Sequence, residues 1–193
     1  MSSRRGAASG RYQGTNREAQ RGRVGRPPAD RPRKATRVYL SEKQREHWNI
    51  LAKELQVLGA AKIDIADLVI SFLEQTMTGI SEGLTGTGQV LPVGVTDLAS
   101  VYFLLDLRPP TESTKQYNIT MYMESREAMS VMSIRLQSLF RATWSQVFGL
   151  GIELLFSRLA NRQGRLRSIE KMESWEELQE YLLEHQQLQF NIR

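Results

Sequence analysis

The chain has 193 residues, no cysteine and a formal net charge of +5. The lack of Cys excludes disulfides, thiolate catalysis and cysteine metal sites. No apolar run approaches the roughly 20 residues of a membrane-spanning helix, and the N-terminus lacks the apolar core of a secretory signal. We therefore expect a cytoplasmic protein without a membrane partner.

The positive charge is concentrated at the N-terminus. Residues 1–36 contain ten Lys or Arg and two acidic residues, so this segment carries +8 and the remainder of the chain carries −3. The segment is rich in Gly, Arg, Ser and Pro and cannot bury enough apolar surface to offset its chain entropy. We predict a disordered basic tail over residues 1–33.

Part of this tail resembles a known DNA-binding element. The stretch RGRVGRPPADRPRK, residues 21–34, resembles an AT-hook, in which a Gly-Arg-Pro core lies in the minor groove of A·T DNA; Gly25-Arg26-Pro27 matches that core. The other interpretation is a solvated basic tail that binds any polyanion. The tail residues expected to contact the minor groove or the backbone are Arg23, Arg26, Arg31 and Arg33.

The first ordered segment is predicted over residues 34–77. Thr36, Val38 and Leu40 alternate with more polar positions, which is typical of a half-buried strand. A helical pattern follows, with Ser41 placed to cap it and Gly59 placed to end it. A second helix is predicted to open at Asp64.

A connector is predicted over residues 78–114. Its first part is a Gly-Thr run without the Gly-Lys-Ser/Thr sequence of a phosphate loop. Its second part is apolar, and Asp97 to Leu107 fits either a short helix capped by Thr96 or a strand, ended by two prolines.

The second ordered segment, residues 115–160, begins with KQYNITMYMES. Apolar residues recur at every second position from Tyr117 to Met123, and the intervening side chains carry hydrogen-bonding groups and no formal charge. A helix with buried Met129, Met132, Leu136, Leu139 and Phe140 is predicted next. Thr143 then opens another helix through a capping box with Gln146. Matching Leu40 with Met123 and Asp64 with Thr143 gives offsets of 83 and 79, so the second segment is predicted to be four residues shorter.

The C-terminal extension, residues 161–193, contains one further predicted helix at 174–188. Ser174 and Glu177 have the spacing of a capping box. Its apolar stripe either packs onto the body of the protein or offers a surface to a protein partner.

The repeated strand–helix–helix pattern resembles the ribbon-helix-helix family of DNA-binding proteins. The resemblance is most local in Gln116-Tyr117-Asn118-Ile119-Thr120, which is similar to an Arc-type DNA-reading strand, and it covers residues 34–77 and 115–160. It implies a mainly α fold: a tandem ribbon-helix-helix pseudo-dimer, with a two-stranded antiparallel ribbon on four helices. Such a ribbon enters the major groove of double-stranded DNA.

The family resemblance also implies the roles of individual residues. The N-terminus of each second helix is expected to bind a backbone phosphate, although Asp64 would repel a phosphate in the first segment. The residues expected to read bases are Arg37, Tyr39, Gln116, Asn118, Thr120 and Tyr122. Those expected to bind phosphate are Lys34, Lys62, Thr143 and Trp144.

The sequence favours a sequence-specific DNA-binding protein: a nucleoid-associated transcriptional repressor or a plasmid copy-control, partition or relaxosome factor. Two alternatives remain open, namely an antitoxin whose residues 161–193 bind a toxin, and a basic nucleic-acid-binding protein without sequence preference. We find no paired carboxylates, metal-ligand cluster or nucleophile–base pair, so we expect no enzymatic activity, metal or cofactor. We expect a monomeric pseudo-dimer and leave self-association on DNA open.

Overall fold

A computed structural model describes residues 31–85, 95, 97–137, 142–161, 163–166, 169 and 172–187. Within these residues the chain forms two strands and six helices, and the predicted mainly helical fold with a two-stranded antiparallel sheet is confirmed. The predictions for Arg23, Arg26, Leu139 and Phe140 lie outside the described residues. The elements are β1 (Arg33–Leu40), α1 (Glu42–Val57), α2 (Lys62–Thr85), α3 (Leu98–Leu104), β2 (Lys115–Tyr122), α4 (Met123–Gln137), α5 (Trp144–Leu159) and α6 (Trp175–Gln187).

The two strands form one antiparallel ribbon. Thr36 lies opposite Ile119 and Arg37 opposite Asn118, and the register extends over all eight residues of each strand. The side of the ribbon that faces the helices is buried at Val38, Leu40 and Ile119, as the period of two predicts. The predicted pairing of the two segments is therefore confirmed.

The core beneath the ribbon is built around α2 and α5. These two helices contact each other, and each also contacts elements of the other segment: α2 packs on β2 and α4, and α5 packs on β1 and α1. The crossing of α2 and α5 is close at Gly151, where an added Cβ would lie 2.9 Å from Cγ1 and 3.0 Å from the carbonyl oxygen of Val69. A residue larger than glycine at this position would push the two helices apart.

Within the two strand–helix–helix segments, helix starts follow the predicted caps at two of three places. Ser41 and Thr143 both form complete capping boxes. The prediction that α2 opens at Asp64 is wrong, because α2 begins at Lys62 and the Asp64 carboxylate accepts the N–H of Ala61 at 3.0 Å. Ala61 has no side-chain acceptor to signal a helix start, so only its return partner is visible in the sequence.

The spacing between the two segments differs from the prediction. β2 starts 82 residues after β1, α4 starts 81 residues after α1, and α5 starts 82 residues after α2. The predicted shortening of the second segment by four residues is therefore wrong, because it depended on matching Asp64, the third residue of α2, with the cap of α5.

The connector begins later than predicted and contributes a helix to the core. Helix α2 continues to Thr85, past the predicted boundary at 77, since no proline interrupts it. The apolar stretch forms α3, a helix and not a strand, and Asp97 is its N-cap in place of the predicted Thr96. Tyr102 of α3 is buried, and its hydroxyl accepts a hydrogen bond from the Gln44 side chain at 3.2 Å. The connector is thereby fixed to α1.

Helix α6 packs onto the body, which was the first of its two predicted arrangements. Leu178 and Leu182 are buried in the common hydrophobic core. Ser174 accepts the N–H of Glu177 as predicted, but the Glu177 carboxylate accepts the N–H of Glu173, one residue before the expected donor.

A buried carboxylate lies between α1 and α5. Glu153 is 6% exposed, and its side chain lies 3.0 Å from Nδ1 of His47 and 3.7 Å from Nζ of Lys43. Both partners are on α1, so this charge cluster joins the first helix of one segment to the second helix of the other.

Among the described residues, no helix has both the length and the apolar character required to cross a bilayer.

Candidate nucleic-acid interface

The ribbon presents one face to solvent, which we call the outer face. All of its members are exposed, because strand alternation turns them away from the helices. Across the ribbon, Ala35 lies opposite Thr120, Arg37 opposite Asn118 and Tyr39 opposite Gln116. The outer face comprises Arg33, Ala35, Arg37, Tyr39, Gln116, Asn118 and Thr120.

The chemistry of the outer face suits the edges of base pairs. It carries two guanidinium groups, two amides, a hydroxyl and a phenol, and none of its side chains is acidic. Neighbouring strands lie about 4.8 Å apart, and the major groove of B-DNA, about 12 Å wide, admits a two-stranded ribbon. In that groove Arg pairs with guanine, Asn and Gln pair with adenine, and Thr can serve either. Five of the six predicted base-reading residues therefore lie together on one accessible surface.

The sixth predicted base-reading residue, Tyr122, does not lie on this surface. Its side chain is only 1% exposed, and its hydroxyl donates to Oδ1 of Asp64 at 2.7 Å. The prediction that it faces outward is wrong because β2 ends at this residue and α4 begins at the next, which turns the ring towards α2. Burial and the bond to Asp64 raise the pKa of Tyr122 to about 12.

Arg31, predicted to belong to a DNA-binding tail, is engaged within the protein. Its guanidinium lies 2.6 Å from Glu124, 3.6 Å from Asp67 and 3.8 Å from the centre of the Tyr122 ring. The hydrogen bond to Glu124 is the main cause that raises the pKa of Arg31 above its ordinary value. The predicted contact of Arg31 with DNA is therefore opposed by two carboxylates, whereas Arg33 is exposed on the outer face.

The two ends of the ribbon meet different helix N-termini. At the end where Tyr39 lies opposite Gln116 and Leu40 opposite Lys115, the Tyr39 end, the backbone N–H of Tyr39 donates to Oγ of Ser145 in the first turn of α5 at 2.9 Å. At the end formed by Arg33 and Tyr122, the Arg33 end, the contact of Tyr122 with Asp64 connects the ribbon to the first turn of α2.

The N-terminus of α5 can accept an anion. Thr143 is exposed and caps the helix, and its first turn contains no acidic residue. The capping box satisfies the N–H groups of Thr143 and Gln146, and the other N–H groups of a first turn point outwards along the helix axis. Arg126 lies 5.1 Å from the ring centre of the half-buried Trp144 and adds positive charge beside this turn.

The N-terminus of α2 is different. Lys62, the first residue of α2, is exposed, as is Lys34 near the start of β1, so both predicted phosphate ligands are accessible. However, Asp64 accepts hydrogen bonds from Ala61 and Tyr122, and this places a carboxylate where a phosphate would have to bind.

A shallow cleft of about 220 Å³ lies beside the Tyr39 end, between α5 and the connector. Tyr39, Tyr102 and Gln146 are among its lining residues, together with Glu112, whose carboxylate accepts the N–H of Lys43 at 3.3 Å.

Within the described residues, no group of three His, Asp or Glu side chains is arranged to hold a metal ion.

Sequence reasoning missed the carboxylates at the Arg33 end. Asp67 and Glu124 come from different segments, and only the ribbon register brings them to Arg31. Nothing in the local sequence indicates this contact.

The chain matches no protein-family profile, no curated protein sequence and no solved structure. The geometry of the site is therefore the basis for inferring its function.

Proposed function

We propose that this protein is a sequence-specific double-stranded DNA-binding protein that inserts the outer face of its ribbon into the major groove. The observation that carries the proposal is the composition of that face: two arginines and two amides are exposed on a ribbon without a carboxylate. A solvated strand face more commonly carries Lys and Glu, which prevent edge-to-edge association, whereas groups that donate and accept in fixed directions are required to distinguish bases.

The packing supports a tandem ribbon-helix-helix pseudo-dimer as the scaffold. The order strand–helix–helix occurs twice, with α3 between the two copies. Each strand packs on the second helix of the other copy: β1 packs on α5, and β2 packs on α2. The first helix of each copy also packs on the second helix of the other copy, α1 on α5 and α4 on α2. This exchange is expected when two strand–helix–helix units interlock, because neither unit can cover its own strand alone.

In this proposal different parts of the surface supply affinity and specificity. Arg37 reads guanine, and Gln116 and Asn118 read adenine, each with two hydrogen bonds. The first turn of α5, with Thr143 and Trp144, holds a backbone phosphate and sets the depth of the ribbon in the groove. The arginines of residues 1–30 add sequence-independent attraction.

The biological role that fits these parts is transcriptional repression or control of plasmid copy number or partition. The antitoxin alternative is less well supported, because Leu178 and Leu182 of α6 are already buried in the core of this chain. A basic protein without sequence preference would not require amides and arginines in register on one ribbon face.

The test is selection of bound sequences from a random duplex library, followed by titration of the selected site against random DNA. We expect a preferred site, and we expect Arg37→Ala and Asn118→Ala each to weaken binding to it by about 1–3 kcal/mol. The loss should disappear when the contacted base pair is changed. Binding to random DNA should change little with Asn118→Ala.

Two exposed helical residues provide controls. Lys53→Ala removes a cation and Gln75→Ala removes an amide without altering the ribbon, and both variants should bind the selected site like the parent. A selection that yields no preferred site, or equal affinity of the parent for selected and random DNA, would contradict the proposal.

A further inference from the structure

We propose that the two ends of the ribbon perform different tasks, so that the protein binds its DNA site in a single orientation. The Tyr39 end reads bases and holds a phosphate through α5. The Arg33 end holds no phosphate through α2, and it is the end at which the basic N-terminal segment is attached. This inference rests on the proposed function, and it concerns the orientation of the complex and not its existence.

The first step is the occupation of the α2 N-terminus. Asp64 accepts hydrogen bonds from the N–H of Ala61 and the hydroxyl of Tyr122, and Asp67 accepts one from Ser125 at 2.5 Å. With Glu124, three carboxylates lie around this turn against two cations: Arg31, which pairs with two of the carboxylates, and Lys62, the first residue of α2. A phosphate here would meet net negative charge and would have to displace existing hydrogen bonds.

The second step is the contrast with α5. Its cap and its return partner, Thr143 and Gln146, are neutral, and the cation at this turn is Arg126. Two carboxylates belong to the Tyr39 end, Glu112, which accepts the backbone N–H of Lys43, and Glu42 in the first turn of α1, and neither is part of α5. The two equivalent helix starts therefore differ in the sign of their local charge.

The third step is the distribution of side chains along the outer face. From the centre of the ribbon to the Tyr39 end, the cross-strand pairs are Arg37 with Asn118 and Tyr39 with Gln116. Towards the Arg33 end, the pairs are Ala35 with Thr120, two small side chains, and Arg33 with the buried Tyr122. Of the four outer-face groups that can hydrogen-bond bases bidentately, three therefore lie between the centre of the ribbon and the end where α5 can hold a phosphate, and only Arg33 lies at the other end.

The fourth step concerns the point from which the N-terminal segment departs. Arg31 is fixed by Glu124, and the carbonyl oxygen of Pro32 accepts the N–H of Met123 at 3.0 Å. Residues 1–30 contain seven arginines and two acidic residues. Because the chain enters β1 at the Arg33 end, these charges are covalently attached at the end of the ribbon where α2 cannot contribute a phosphate contact.

The first experiment uses the two helix N-caps as a matched pair. Asp and Asn have the same shape and both cap helices well, so Thr143→Asp against Thr143→Asn isolates the effect of charge at α5, and Ala61→Asp against Ala61→Asn does so at α2. We expect the added charge at 143 to weaken binding to the selected site at least tenfold, and the added charge at 61 to weaken it less than twofold.

Equal losses at the two caps would overturn the inference, as would a larger loss at 61. Thermal unfolding of all four variants shows whether a loss comes from folding. If the parent protein has no preferred site at all, the proposed function fails instead, so the two failures are distinguishable.

The second experiment exploits the absence of cysteine. A single Cys placed at the exposed position Lys62 or Thr114 can carry an iron chelate that cleaves nearby DNA. Lys62→Cys should cleave on one side of the selected site and Thr114→Cys on the other. Cleavage of both sides by each probe would show two orientations and overturn the inference.

Discussion

At the scale of single residues, the end of β2 shows how one position can leave a surface that its neighbours share. Gln116, Asn118 and Thr120 lie on the exposed face, and the same alternation would place Tyr122 with them. The strand ends at this residue, however, and its ring is enclosed between Arg31 and Asp64. The hydroxyl that was predicted to read a base instead joins the ribbon to α2.

This contact predicts a pH dependence of stability. Because the pKa of Tyr122 is raised to about 12 in the folded state, against about 10 in unfolded chains, the neutral ring stabilises the fold below pH 10. That contribution is lost as the pH rises towards 12. Tyr122→Phe should cost about 1–2 kcal/mol at pH 8 through the lost hydrogen bond to a carboxylate.

The measurement is urea unfolding of both proteins between pH 8 and pH 11.5. The stability difference between parent and Tyr122→Phe should shrink steadily above pH 10, because only the parent has this group to ionise. Tyr102, whose pKa burial also raises, is present in both proteins and cancels in the comparison. A difference that does not change with pH would contradict the role assigned to this contact.

At the scale of elements, sequence predicts best where a pattern is local. The alternation in β1 and β2 and the capping boxes at Ser41 and Thr143 depend on neighbours within a few residues, and the structure has them as predicted. The start of α2 was misplaced because Ala61 carries no capping side chain. The carboxylates around Arg31 could not be predicted, since they become neighbours only through the ribbon register.

The crossing of α2 and α5 makes a further prediction. Gly151→Ala would add a Cβ within 3.0 Å of the Val69 backbone, which cannot yield as a flexible side chain would. We expect destabilisation of about 1–3 kcal/mol, in spite of the better helix propensity of Ala. The loss is measured as the difference in the free energy of unfolding between the parent and Gly151→Ala in denaturant titrations.

Val57→Ala serves as the control, because Val57 is 80% exposed at the end of α1 and its truncation should change stability by less than about 0.5 kcal/mol. Equal or higher stability of Gly151→Ala would show that α2 and α5 can separate without loss, which would contradict the role of their close crossing at this glycine.

At the scale of the whole molecule, most of the excess positive charge and the proposed base-reading groups belong to different parts of the chain. Residues 1–30 carry seven arginines, whereas the base-reading candidates lie on a folded ribbon. Affinity and specificity should therefore be separable. Arg31 and Arg33 lie on the folded side of this division, since one is paired internally and the other is part of β1.

Removal of residues 1–30 should reduce the salt dependence of binding. Each neutralised phosphate contributes about 0.9 to the slope of log affinity against log salt concentration. If about half of the seven arginines engage, the slope should fall by roughly 3, by the same rule. The ratio of affinities for the selected site and for random DNA should stay nearly constant.

A full-length variant with these seven arginines replaced by glutamine provides the control for chain length and should behave like the truncation. Titrations at several salt concentrations give the slopes. An unchanged slope in either variant would exclude the N-terminal segment from the contact with DNA.

Because both strands of the ribbon lie in one polypeptide, each position on the outer face is encoded once. In an assembly of two identical chains, a substitution at the position of Arg37 would appear twice and alter two base contacts together. In the proposed complex a single mutation at Arg37 would change one base contact and leave Asn118, its partner across the ribbon, as it was. Such a protein can acquire a new target one base pair at a time, which shortens the mutational route between related binding sites.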